Sequence, residues 1–292
     1  MKTQGYIISG SSAHDRHANG MSIIYKLSDG TLFVYDGGNT SVKDLLRKTL
    51  HDLSDGAPVI SAWMITHPHG DHYGALKLLL EEGLGDIKIN EFWFNWSEGA
   101  GPNLEEAIFA VHCPDVPVRK LSYGERIKLA DVDIEVICTP DVLLEYAPDA
   151  YTVADGSNNA TVVTMLTIGG KRVLMSGDAG PIAWNFMMEN KDKHSLKCDY
   201  IQIPHHGVHN SGTDEAYAEM EATHLVIPAG LSLAKHFTLE TNKNVAAQAS
   251  WRLYKKLGVD MSYETETDGK TYWFAGTYDA ENTEDVKLFI EA

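Results

Sequence analysis

A nearly unbroken apolar run, "PVISAWMIT" at residues 58 to 66, stops at "HPHGDH" at 67 to 72, and "YGALKLLLEEG" then follows with helical periodicity. The run has strand length and reads as a buried strand. The hexapeptide therefore lies on the loop from the C-terminal end of that strand into a helix, where mixed α/β proteins place ligands and catalytic groups. It holds three histidines and an aspartate, in a chain with 13 histidines among 292 residues. His67 and His69, at i and i+2, converge from one side of a turn when the backbone bends at Pro68 and Gly70. Asp71 and His72 point to a second focus nearby. Imidazole suits zinc and other borderline metals, and a carboxylate widens the range toward manganese or iron. Ordinary surface histidines are the plain alternative, which such crowding disfavours.

The rest of the chain supplies layers for that strand. "GYIIS", "MSIIYKL" and "TLFVYDGG" read as strands, the last two joined by "SDG", and "SVKDLLRKTLHDL" has a helical period. Further on, "TVVTMLTIGGKRVLMSGD" is a hairpin turning at Gly169 and Gly170 that delivers Asp178 at its end. "GPIAWNFMMEN" reads as a helix and "CDYIQIPHHG" as a strand running into His205 and His206. A helix "DEAYAEMEA", a strand "HLVIPAG", a helix "NKNVAAQASWRLYKKLG" and a hairpin from "MSYETE" to "KTYWFAGTY" complete the pattern. The expectation is one α/β domain over residues 1–292, with two similar halves (about 1–150 and 151–292), two sheets and helices outside them.

Composition bounds the function. Against 24 Lys and Arg stand 41 Asp and Glu, a formal charge of -17 without basic clusters. That balance argues against long nucleic acid, which is held by phosphate neutralisation, and favours a small-molecule substrate. No apolar run reaches bilayer length and the N-terminus does not read as a signal peptide, so no membrane association is expected. Cys113, Cys138 and Cys198 are odd in number and scattered. They form neither a disulfide framework nor a CxxC site, which fits a reducing, cytoplasmic compartment. Oligomeric state is not readable.

His67-Pro68-His69-Gly70-Asp71-His72 resembles the HxHxDH signature of the metallo-β-lactamase fold, a four-layer αββα sandwich of hydrolases that usually carry two metal ions. The likeness extends to the Asp36-Gly37-Gly38 turn and to "VLMSGDAG", whose Asp178 matches the family's metal-bridging carboxylate. "DYIQIPHHGVHNSG" resembles the late histidine motif of the ComEC/Rec2-type hydrolase domains and their stand-alone relatives, and Asn158-Asn159-Ala160-Thr161 stands where that branch carries NNxS. The resemblance implies His67, His69 and Asp178 at a first metal, and Asp71, His72, Asp178 and one of His205 or His206 at a second. Most branches add a mid-chain histidine to the first metal. Here His112 and His194 are the mid-chain histidines, and neither has the family context. The first metal is therefore expected to be the more weakly held.

Adjacent residues on a strand point in opposite directions. One of His205 and His206 is thus expected to bind metal, while the other meets a substrate oxygen or protonates a leaving group. Asn158, Asn159, His209, Ser211 and His236 are further candidates for the substrate cleft, and Trp96 is a candidate wall for an apolar or cationic group. In "NEFWFNW", Phe92 and Phe94 alternate with Trp93 and Asn95 as in a strand with one buried face. His14 and His17 read as polar loop residues.

Two divalent ions sharing Asp178, zinc first with manganese or iron as alternatives, would sit roughly 3.5–4 Å apart around a water of pKa about 7. Attack by the resulting bridging hydroxide, with Asp71 and the histidine pair beside it, makes phosphodiester hydrolysis the leading expectation for this branch. Lactone, thioester or β-lactam hydrolysis and a catalytically inert metal-binding sensor or interaction module are the alternatives.

Overall fold

Alternation along the strands divides the apolar side chains between two faces. In β3 (Leu32–Tyr35), Leu32 and Val34 join the side chains of α1 (Lys43–Leu53) and α2 (Gly70–Glu82), while Phe33 and Tyr35 face a second sheet. In β4 (Val59–Met64) an irregularity in the pairing with β3 between Ile60 and Ala62 shifts the alternation, so Ile60 and Trp63 lie on the helix side and Ala62 and Met64 lie between the sheets. The computed structural model describes residues 1–8, 20–95, 109–150, 156–207, 212–228, 271–274 and 286–292.

Among those residues the first sheet runs β15-β1-β2-β3-β4-β6-β7, with β5 beside β4. Its other strands are β1 (Gln4–Ile8), β2 (Ile23–Lys26), β5 (Lys88–Ile89), β6 (Phe92–Phe94), β7 (Val118–Lys120) and β15 (Val286–Glu291). The second sheet runs from β8 (Arg126–Leu129) through β9 (Val132–Cys138), β10 (Val163–Ile168), β11 (Lys171–Met175), β12 (Tyr200–Gln202) and β13 (His224–Ile227) to β14 (Thr271–Phe274). Both sheets are mixed: β1 to β3 and β8 to β11 pair antiparallel, whereas β3-β4-β6-β7 and β11 to β14 pair parallel. The outer face of the second sheet is covered by α4 (Pro140–Tyr146), α6 (Pro181–Glu189) and α7 (Asp214–Met220), through Leu143, Trp184, Phe186 and Met220. Single helical turns, α3 (Ala110–His112) and α5 (Gly156–Asn159), lie in connections. The four-layer αββα sandwich is therefore the fold.

Polar groups in the inter-sheet layer are paired across it. The hydroxyls of Tyr35 and Thr164 lie 2.8 Å apart, and the Tyr25 hydroxyl reaches Met175 Sδ at 3.2 Å. No helix among the described residues is long and apolar enough to cross a membrane. Burial pushes the thiol of Cys198 up to about 12 and raises Cys138 further, so neither is a ready nucleophile.

The structure corrects several sequence expectations. Helix α2 begins at Gly70, so Asp71 and His72 occupy its first turn and only His67 and His69 lie on the loop. Strand β6 is buried on both faces, with Phe92 and Phe94 toward the helices and Trp93 against Phe33 at a ring separation of 5.5 Å. The sheets change over between β7 and β8, and the C-terminal β15 returns to pair with β1. β14 pairs with β13 in parallel. "MSYETE" and the helix expected over "NKNVAAQASWRLYKKLG" lie outside the described residues.

Candidate metal centre

The strand ends named above converge at one rim. β3 ends before Asp36, β4 before His67, β11 before Asp178, and β12 before His205 and His206. Two sets of side chains then gather ligand atoms within 4.8 Å of one another: His67, His69 and Asp178, and Asp71, His72 and His206. Asp178 joins the sets. Its Oδ2 is 3.6 Å from His67 Nε2, and its Oδ1 is 3.2 Å from His72 Nε2 and 3.7 Å from His206 Nε2. Asp71 Oδ2 lies 3.2 Å from His206 Nε2.

The imidazoles are aimed by their other nitrogens. His206 Nδ1 is 2.7 Å from the carbonyl of Pro228, which only accepts, so Nδ1 carries the hydrogen and Nε2 is turned inward. His72 Nδ1 donates to Asp36 Oδ2 at 2.7 Å. The Thr66 hydroxyl donates to the same carboxylate at 2.8 Å, which leaves its lone pairs to accept from His67 Nδ1 at 3.0 Å. Asp36 also accepts the Thr66 backbone N–H at 2.7 Å. It thus sets the tautomer of one histidine in each donor set, directly for His72 and through Thr66 for His67.

Local backbone geometry explains how these groups arrive. After Asp36 (φ 60°), the N–H groups of Gly37 and Gly38 both bond the His72 carbonyl, clamping the turn onto the first turn of α2. A Cβ on Gly37 would lie 2.7 Å from that of Leu76, so the approach requires glycine. His205 (φ 49°) and His206 (φ 54°) are left-handed rather than strand-like. Such conformations cost about 1–2 kcal/mol per residue and concentrate at functional sites. Here the turn separates the pair: His206 is buried in the donor cluster, while His205 Nε2 lies 4.0 Å from Asp178 Oδ2 and 3.3 Å from Asn158 Nδ2.

The donor chemistry fits divalent cations. His67 Nε2 and Asp178 Oδ1 are buried without a hydrogen-bond partner, and the Nε2 atoms of His72 and His206 face each other at 3.2 Å. Electron-rich atoms packed this closely need a positive charge between them. Burial, reinforced by the neighbouring His72, holds His67 well below the usual imidazole range, and burial lowers His69 likewise. Burial also opposes charge on His72, but Asp178 and Asp36 outweigh it and raise its proton affinity well above the usual value. His206 is raised in the same way by Asp178 and Asp71. Asp178 is desolvated, yet the imidazoles of His72, His206 and His67 hold it well below the carboxylate range.

The spaced motifs therefore come together as a cluster of His67, His69, Asp71, His72, Asp178 and His206, with His205 at its edge. Asn158 and Asn159 are buried nearby: Asn158 touches His205, and Asn159 Nδ2 donates to the Ala150 carbonyl at 3.0 Å. His194 bonds Glu135 at 3.0 Å and His112 ends α3, so neither belongs to the donor sets. His14, His17, Trp96, His209, Ser211 and His236 lie outside the described residues. The sequence reading missed the roles of Asp36 and Thr66; the Asp-Gly-Gly turn was visible, but its contact with His72 spans 36 positions.

Comparison with known proteins agrees with this arrangement. The model of the metallo-beta-lactamase superfamily matches residues 18–216, and the chain belongs to that superfamily. No curated protein matches the sequence. Among solved structures, CmlA, a diiron beta-hydroxylase from Streptomyces venezuelae, aligns with a TM-score of 0.57 at 11% identity, over 99% of this chain and 54% of that one. The chain thus spans about half the length of CmlA. YhfI from Bacillus subtilis, a metallo-beta-lactamase fold protein, aligns with a TM-score of 0.49 at 10% identity, over 77% of this chain and 85% of that one. Zn(2+)-bound PqqB from Methylobacterium extorquens gives 0.45 at 14% identity, over 77% and 72%. At these identities the likeness concerns the fold alone.

Two outcomes follow from the geometry. Asp36→Asn should weaken divalent-cation binding by about 10–100-fold, as loss of an outer partner does, measured by competition with a chromophoric chelator. Unchanged affinity would show that His72 needs no such anchor. Because the neighbouring carboxylates raise the proton affinity of His72 and His206 when no cation is present, a cation competes with protons there, so binding should release protons and affinity should fall as pH falls. Calorimetry in buffers of different ionisation enthalpy reads this directly; binding without proton release would contradict it.

Proposed function

We propose that this metallo-beta-lactamase superfamily member is a dinuclear metal-dependent hydrolase of phosphodiesters, acting on a small molecule or a short nucleotide. The observation that supports the reading most is the pair of His/Asp donor sets meeting at Asp178. Asp71 and Asp178 offset only part of the charge of two divalent ions, so a loaded centre favours an anionic group whose oxygens span both positions. When bound, the ions supply Lewis-acid polarisation and acidify water. An oxygen and nitrogen donor set without thiolate suits zinc, with manganese or iron as alternatives.

The chain's own groups then have distinct tasks. His67, His69, Asp71, His72, Asp178 and His206 would hold the ions, and Asp36 and Thr66 keep two of those ligands, His72 and His67, aimed. His205 would meet a substrate or leaving-group oxygen, a role that its nearness to Asp178 and Asn158 supports. The charge of -17 supports a small substrate over long nucleic acid, and the three buried free cysteines support a reducing, cytoplasmic setting.

The metal-reconstituted chain should hydrolyse bis-p-nitrophenyl phosphate. Asp178→Ala should lower kcat/KM by more than about 100-fold, exceeding the effect of an outer partner. Turnover of lactones, thioesters or β-lactams without phosphodiesters would move the reading to acyl chemistry. Stoichiometric metal binding with no turnover on either panel would identify an inert binding module.

A further inference from the structure

The bridging carboxylate and the histidine pair arrive on two loops that leave neighbouring parallel strands. The β11–β12 ladder ends at the pair Met175 and Gln202. Beyond it the chains continue as Ser176-Gly177-Asp178 and as Ile203-Pro204-His205-His206. Backbone groups at such a fork lose their ladder partners, and a buried unpaired group is costly.

Gln202 closes the fork with its side chain. The residue is fully buried. Its Oε1 accepts the Ser176 N–H at 2.9 Å, and its Nε2 donates to the carbonyls of Gly177 at 3.0 Å and Ile203 at 2.6 Å. The Ser176 hydroxyl returns a bond to the Gln202 carbonyl at 2.6 Å. The amide orientation follows from its partners: a flipped group would set its oxygen against two carbonyl oxygens. The Gly177 carbonyl also accepts the His205 N–H at 3.2 Å. Gly177 itself is left-handed (φ 52°), and a Cβ there would lie 2.7 Å from Thr161 Cγ2. The peptide before Asp178 is thus tied to the peptide before His205, with Gln202 making the most bonds across the fork.

Resting on the metal-centre reading above, we propose that Gln202 is a positioning residue of that centre. It fixes the separation of the Asp178 loop from the His205-His206 turn, and hence the spacing of the two cation positions. It touches neither the ligand atoms nor the substrate position, so its effect must appear in the metal geometry.

Cobalt(II) alone is the probe, read by binding titration and by its visible absorption bands. Wild-type protein should bind two ions. Gln202→Met, which keeps the length and removes the amide, should bind at least one of them about tenfold or more weakly, with shifted bands. Ser176→Ala, which keeps Gln202 and removes one tie, should shift the bands in the same direction by less, and it decides the question where Gln202→Met does not fold. Thr49→Val is the control, because it removes a buried hydroxyl bonded to the Leu45 carbonyl within α1; it should leave affinities and spectrum as in the wild type. Wild-type binding and spectrum in both Gln202→Met and Ser176→Ala, or in Ser176→Ala alone where the first does not fold, would overturn this inference alone. Wild-type protein that binds no cobalt would overturn the metal-centre reading with it.

Discussion

A fully buried carboxylate, Asp36, is the contact on which the centre depends. Such a group is tolerated only when its oxygens are satisfied, and here three donors do so: the Thr66 N–H, the Thr66 hydroxyl and His72 Nδ1. Burial still raises the Asp36 carboxyl from its ordinary value, against the opposing pull of His72 and Thr66. The arrangement joins the ends of β3 and β4 to the first turn of α2. It also settles which nitrogen of His72 and of His67 faces the cluster. Fold and site chemistry meet at this carboxylate.

The layers around it position the cluster. Helix-side packing by Leu46, Leu76 and Leu79 seats α2, whose first turn carries Asp71 and His72, against the first sheet. Inter-sheet packing by Phe33, Met64, Trp93, Val136 and Met175 fixes the second sheet, and with it Asp178 and His206. At this rim Asp36 and the His205-His206 turn are left-handed, and in the turn the Pro228 and Gly177 carbonyls hold that backbone in place. That turn sends one histidine into the donor cluster and the other toward Asn158.

Much of this was legible in the sequence because ligand chemistry restricts residue type. His67, His69, Asp71, His72 and Asp178 stand out as few side chains do, the strand and helix periods around them implied two sheets with helices outside, and the family resemblance implied the αββα sandwich. What was not legible depends on contacts far apart in the chain or on backbone angles. Reading "DYIQIPHHG" as a strand left His205 and His206 equivalent, since a strand separates neighbours without saying which turns inward; the left-handed turn decides it. Gln202 looked like any polar strand residue, because its partners on Ser176 and Gly177 lie across the fork. Asp36 looked like a turn residue for the same reason. The helix start at Gly70 was missed because His69 offers no side-chain capping bond to mark it.

Two divalent cations that share Asp178 between the two donor sets would be visible directly. The most direct measurement is a metal-soaked crystal structure with anomalous scattering recorded at the metal edge. Two peaks are expected, one held by His67, His69 and Asp178 and the other by Asp71, His72 and His206, with Asp178 touching both. A single peak held by other residues, or none at this rim under saturating metal, would contradict it.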